Sequence, residues 1–187
     1  MSKPRLSDVV NLKRIVRYLV QRPQLVTLFK WQKWPDSVTQ FTDSDCAGDR
    51  STRKSTTGGS MMLGSHTLKT WSKDQSVIAL SSGEAELYAA NFGAAQALGL
   101  KSMAGDLGLS LKIFLFIDAK AALGIINRQG LGKVRHIEVQ DLWLQEAVKK
   151  KRIEIFKVDG NDNVSDLMTK PLSFEVMKGH LDKMYMF

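Results

Sequence analysis

Cysteine is nearly absent: Cys46 is the only one in 187 residues. A lone cysteine closes no internal disulfide and builds no thiolate zinc site, so a disulfide-stapled secreted fold is excluded. Histidine is almost as scarce. His66, His136 and His180 share no close spacing, which speaks against a histidine zinc centre. No apolar run approaches the ~20 residues of a membrane span. The opening MSKPRLSDVV has no apolar stretch behind its charges, so a secretory signal is not expected. An intracellular, reducing location with no membrane partner is therefore the expectation. Internal repeats and low-complexity tracts are also missing.

What remains is ordinary globular composition, 43% hydrophobic and 25% charged, in a length that suits one domain plus an extra helix. Net charge is +8 and unevenly spread. Residues 1–40 carry 8 basic and 2 acidic residues, 41–118 carry 7 and 8, and 119–187 carry 12 and 9. Basic flanks around a slightly acidic middle fit a polyanionic partner, although excess charge also serves solubility.

Apolar residues at Val9, Leu12, Ile15, Val16 and Leu19 predict a helix over 7–21, with Ser7 as N-cap and Pro23 beyond its end. Residues 25–31 read as a short strand. Strands follow at 38–46, 58–63 and 68–76, joined closely enough for an antiparallel meander. Ser81-Ser82-Gly83-Glu84 resembles a capping box opening a long helix to about Leu107. The apolar run 112–117 predicts a buried strand, 119–127 a short helix, 134–151 a longer helix and 153–158 a last strand. Residues 160–163 read as a turn, and the tail from Val164 as helical with a break at Pro171. The sum is an α/β fold: a mixed sheet, antiparallel meander plus parallel strands, flanked by helices.

Four acids fall where a carboxylate is costly to bury. Asp43 lies in the first strand of the meander, within FTDSDCAG. Asp118 ends the apolar run KIFLFID. Glu86 lies at the start of the long helix, in SSGEAELYAA, and Asp166 in the first turn of the last helical segment, in NVSDLMTK. Each has an ordinary alternative: Glu86 and Asp166 complement helix N-termini, Asp118 caps the helix after it, and Asp43 is a strand-end residue. Four such acids on separate elements, two of them on strands that should be neighbours, point instead to convergence around hard divalent cations, Mg2+ or Mn2+. Two such ions ~4 Å apart are how many nucleases activate water and stabilise a leaving oxygen. Glu86 shares a helix row with Ala89, Ala90, Gly93 and Ala97 and should face the sheet. Glu84 shares one with Tyr88, Asn91 and Ala95, a wetter face. Asp43 and Asp45 lie on one face of a strand, and periodicity does not separate them.

The stretches FTDSDCAGDRSTRKSTTGG, TWSKDQSVIALSSGEAELYAA, LFIDAKAAL, VRHIEVQDLWLQEAV and NVSDLMTKPL resemble, in order, the ribonuclease H domain of copia-type retrotransposon polyproteins. The resemblance covers about residues 38–172. Residues 5–31 resemble the end of the preceding reverse transcriptase region, giving a division into 1–36, a remnant of that region, and 37–187, a ribonuclease H-like domain with a five-stranded mixed sheet.

The resemblance implies hydrolysis of the RNA strand of an RNA–DNA hybrid with two Mg2+ ions, Mn2+ substituting. It also implies covalent linkage to a reverse transcriptase, and a place in the cytoplasm or a retrotransposon particle. By motif, Asp43, preferred over Asp45, matches the acid bridging both ions and Glu86 the one near an ion and the ribose 2′-OH. Asp118 matches the third acid and Asp166 the one beside the attacking water. Departures are Cys46 where tryptophan is usual, Ala119 where serine or asparagine is common, and no histidine in the loop 159–163. His136, in VRHIE, fits the family.

Candidate phosphate contacts are Arg50, Arg53, Lys54, Ser55 and Thr56, with Lys149, Lys150, Lys151 and Arg152 as a further basic cluster. Rival readings are a catalytically inactive nucleic-acid-binding or connection module of the same fold, and a related nuclease such as an integrase.

Overall fold

A computed structural model describes residues 4–130, 132, 137 and 139–187. Five strands form one sheet: β1 (Ser37–Asp45), β2 (Thr56–Leu63), β3 (His66–Asp74), β4 (Lys112–Ile117) and β5 (Glu154–Lys157), in the order β3-β2-β1-β4-β5. The meander β1-β2-β3 is antiparallel. Strands β4 and β5 join parallel to β1, as the apolar runs and the intervening helical segments predicted.

Helix α2 (Ser82–Asp106) spans the sheet. Its first turn is capped by Ser81, whose side chain accepts the Glu84 N–H. Its sheet-facing side is made of small residues, Ala89, Ala90, Gly93, Ala94 and Ala97, all buried. They let the helix backbone lie close to the sheet: a Cβ on Gly93 would collide with Thr42 and crowd Gln40. The core between α2 and the sheet is filled by Val38, Leu87, Ile113, Leu115 and Ile117, and extended by Ile126, Leu144 and Ile153. Helices α3 (Lys120–Ile126) and α4 (Trp143–Lys149) close it on one side. The other sheet face carries a row of rings, Phe41 on Phe116 and Phe116 on Phe156, stacked at 5.1 and 5.4 Å. A 3-10 turn at Val164–Met168 crosses β2 there, and α5 (Phe174–Lys183) follows after Pro171.

Helix α1 (Leu6–Gln21) forms as its periodicity predicts, but Arg5 rather than Ser7 is its N-cap, and the helix buries none of its side chains. The expected strand at 25–31 is corrected. Its backbone makes only a bridge, Thr27 to Met186, flanked by Val26–Phe187 and Leu28–Tyr185 hydrogen bonds. An apolar β-prone run so short pairs where a partner edge exists, and here that edge is the last few residues. The expected helix over 134–151 is shorter where it is described: a 3-10 turn at Val139–Leu142, then α4, ended by Lys151 at φ 55°. His136 lies outside the described residues.

Candidate active site

Parallel pairing of β1 with β4 sets Thr42 opposite Ile117. The next residue along each of the two strands' paths, Asp43 and Asp118, therefore emerges side by side at the carboxyl end of β4. From the other side, the first turns of α2 present Glu86. Carboxylate oxygens of Asp43, Glu86 and Asp118 lie within 4.8 Å of one another. Asp43 is 3% and Glu86 7% exposed.

The fourth acid arrives on the 3-10 turn. Asn163 starts that turn: its side chain accepts the Ser165 N–H and its Nδ2 donates to Thr42 O at 3.0 Å. The turn is thus tied to the strand end that holds Asp43. Asp166, 8% exposed, pairs with Lys170 Nζ at 2.9 Å, and the same ammonium lies 3.8 Å from Asp43 Oδ2. The Thr169 hydroxyl donates to that Asp43 oxygen as well. All four predicted acids are brought together, three in direct proximity and the fourth through Lys170.

Crowding of like charge away from water disfavours ionisation. Burial, then the charges of Asp43 and Asp118, push Glu86 from its usual 4.5 up to about 9. Burial and Asp43 raise Asp118 against the opposing hydrogen bond from Asn163. Burial raises Asp166 to about 6, with the Lys170 hydrogen bond pulling the other way. Burial works against charge on Lys170, but the bond to Asp166 and the charges of Asp43, Asp166 and Asp118 outweigh it and raise that group too.

Glu86 Oε1 accepts the Ser44 N–H at 3.1 Å, while Oε2 is buried with no hydrogen-bond partner among the described residues. A buried carboxylate oxygen without a donor, among other carboxylate oxygens and no soft ligand, has the chemistry of a hard-cation site.

Asp45 is separated from Asp43 by what it holds. Its Oδ1 accepts the Thr56 N–H at 2.6 Å across the β1–β2 link, so it is engaged at the loop rather than in the cluster. Glu84 corrects the expectation of a wetter face. It is buried, accepting Leu80 N–H at 2.8 Å and the Tyr88 hydroxyl at 2.9 Å. The loop preceding α2 folds down on this side of the helix, which helical periodicity does not reveal.

The loop 46–55 lies at the acidic end of the sheet, because Asp43 pairs with Gly58 and Asp45 with Thr56. Asp49 organises it, accepting the hydroxyls of Ser51 and Thr52. Arg50 and Arg53 are exposed, while Lys54 and Thr56 are half-buried. Ser55 is buried and its Oγ accepts the Ala47 N–H at 2.9 Å, so its hydroxyl is engaged in closing the loop. Lys149–Arg152 precede β5, which runs parallel to β4; they sit at the opposite end of the sheet from the acids. The residues that motif reading passed over are Asn163, Thr169 and Lys170. The sequence puts the first in a turn and the other two in a long pattern that assigns them no role. An Asn two residues before a Ser, and a Lys four after an Asp, are the local signals that mark them.

No protein-family model matches the chain. It is similar to the retrovirus-related Pol polyprotein from transposon TNT 1-94 of Nicotiana tabacum, 32% identical over 143 residues, covering 74% of this chain and 11% of the polyprotein. It is also similar to that from transposon RE1 of Arabidopsis thaliana, 27% identical over 176 residues, covering 92% and 12%. The chain thus spans about a tenth of the length of these relatives, 11% and 12%. Solved structures with a similar fold include the N-terminal RNase H domain of rv2228c from Mycobacterium tuberculosis (14% identical, 78% of this chain and 96% of that chain, TM-score 0.48). Another is LC11-RNase H1 in complex with an RNA/DNA hybrid (14% identical, 71% and 94%, TM-score 0.46).

Proposed function

We propose that this chain, whose homologues are copia-type retrotransposon Pol polyproteins, is the ribonuclease H domain of such a polyprotein. It hydrolyses the RNA strand of RNA–DNA hybrids with two divalent ions, Mg2+ or Mn2+. The observation that carries the reading is the convergence of Asp43, Glu86 and Asp118 within 4.8 Å, with Glu86 Oε2 buried without a donor among the described residues. Asp43, Glu86, Asp118 and Asp166 are the residues that would hold the ions. Bound there, such ions would lower the pKa of an attacking water and stabilise the charge developing on the scissile phosphate and its leaving oxygen.

The chain's own groups do the rest. Asp43 stands at the centre, shared by all the other acids, and the Thr169 hydroxyl holds its orientation. Asn163 ties the turn bearing Asp166 to β1 and hydrogen-bonds Asp118, so both rims of the cluster are set by one side chain. Glu86 keeps a proton up to about pH 9 in the ion-free chain, so cation binding is coupled to release of that proton. Arg50 and Arg53, exposed on the loop at the acidic end of the sheet, are placed to meet backbone phosphates, which supply affinity without sequence preference. Discrimination of RNA from DNA falls to the 2′-OH, with Glu86 the candidate to contact it. Residues 1–36 are the end of a reverse transcriptase region and 37–187 the nuclease domain, acting in the cytoplasm or in a retrotransposon particle.

A labelled RNA–DNA hybrid with Mg2+ or Mn2+ tests the reading. Cleavage should be confined to the RNA strand. Asp43→Asn should lower the rate by about a thousandfold or more, the loss of a group acting directly on the reacting charge. Cleavage unchanged by Asp43→Asn would remove the assignment. Hybrid binding that survives EDTA, with no cleavage by either ion, would instead identify a non-catalytic module of the same fold.

A further inference from the structure

The acidic cluster has two unlike edges that share Asp43. On the edge formed with Glu86 and Asp118, carboxylate oxygens lie within 4.8 Å of one another and Glu86 Oε2 has no donor among the described residues. The edge formed with Asp166 is already occupied: Lys170 Nζ lies 2.9 Å from Asp166 Oδ1 and 3.8 Å from Asp43 Oδ2. An ammonium and a divalent ion compete for the same oxygens and repel each other at such distances. Lys170 is not locked there: its side chain is 44% exposed, on a flexible four-carbon stem that reaches solvent.

We propose that Lys170 is a resident cation that holds the Asp43–Asp166 edge in the ion-free protein and must leave before a divalent ion can bind there. The inference rests on the metal-dependent reading above. Loading is then ordered. A first ion enters the Asp43–Glu86–Asp118 edge with Lys170 in place, and a second binds only as the ammonium swings out. The released ammonium faces the side from which a polyanion approaches, so a substrate phosphate is the natural partner to draw it away. Second-ion binding is thereby coupled to arrival of nucleic acid.

The test is Mn2+ binding to the full chain without nucleic acid, counted by electron paramagnetic resonance, for the native protein and for Lys170→Met, which keeps the stem and removes the charge. The native chain should bind one ion well and a second much more weakly. Lys170→Met should tighten the second site by about tenfold or more and the first, which shares Asp43, by clearly less. A second measurement needs no variant. With isotope-labelled lysine, the Lys170 ammonium resonance should shift little through the first equivalent of Mg2+ and much more with the second. A second-site affinity that the substitution leaves unchanged, or a resonance unmoved at Mg2+ saturation, overturns this inference alone. Absence of ion binding in both proteins overturns it together with the metal-dependent reading.

Discussion

Glu86 is the residue at which the site and the stability of the chain meet. Burial and two neighbouring acids raise it from 4.5 to about 9. Between those values the folded chain holds a proton that the unfolded chain has released. The contribution to stability is therefore complete at low pH and is lost as pH rises toward 9. Asp118 and Asp166 are raised as well and act in the same direction, Asp166 up to about 6. In EDTA, the melting temperature should fall from about pH 6 to about pH 9, and Glu86→Gln should flatten that slope. Mg2+ should raise the melting temperature more at about pH 8.5 than at about pH 6, because it replaces the proton. Thermal melts across a pH series check all three outcomes. A slope that Glu86→Gln leaves intact would place its origin in other groups.

Two glycines govern how closely the elements carrying the acids approach. Gly93 lets α2 lie on β1, and Gly58 lets the 3-10 turn lie on β2, where a Cβ would stand 2.8 Å from Met168 Cβ and 3.0 Å from Ser165 O. Gly93→Ala should push α2 off the sheet and cost about 1–3 kcal/mol in urea denaturation, the range for overpacking a tight contact. Gly58→Ala should cost a similar amount, about 1–3 kcal/mol. It should also weaken divalent-ion binding, since it displaces the segment from Ser165 to Thr169 that carries Asp166. Calorimetric titration with Mg2+ separates the two variants. Ion affinity in Gly58→Ala equal to that of the native chain would show that the turn relaxes without moving its carboxylate.

At the scale of the whole chain, the sheet and its helices are one body while α1 stands apart from the core, with Leu12, Ile15 and Leu19 all more than half exposed. The segment after it is attached. Val26 and Leu28 pair with the last residues, and Gln32 accepts the Ser65 N–H and donates to Leu63 O at the β2–β3 turn. Removing residues 1–21 should shift the melting temperature by no more than about 3 °C, whereas removing 1–36 should lower it further, because those hydrogen bonds go with it. Circular dichroism melts of the two truncations make the comparison. Unfolding of the sheet on loss of α1 alone would show that the helix belongs to the folding unit.

Periodicity and local chemistry were enough to place the strands and α2 in the chain, because the spacing of buried residues is a local property. Lys112–Ile117 was legible to the residue, and motif spacing singled out Asp43, Glu86, Asp118 and Asp166. Local pattern could not say that residues 25–31 pair with the chain end, that Glu84 is covered by the preceding loop, or which of Asp43 and Asp45 turns into the cluster. Each of those depends on what lies across space at that position: an available edge, a loop folded down, a Thr56 N–H waiting for an acceptor. Nor could sequence alone show that Lys170 would sit between two acids 127 and 4 residues away from it in the chain. Ion pairing acts over ångströms of distance and is indifferent to separation along the backbone, so only the folded arrangement decides it.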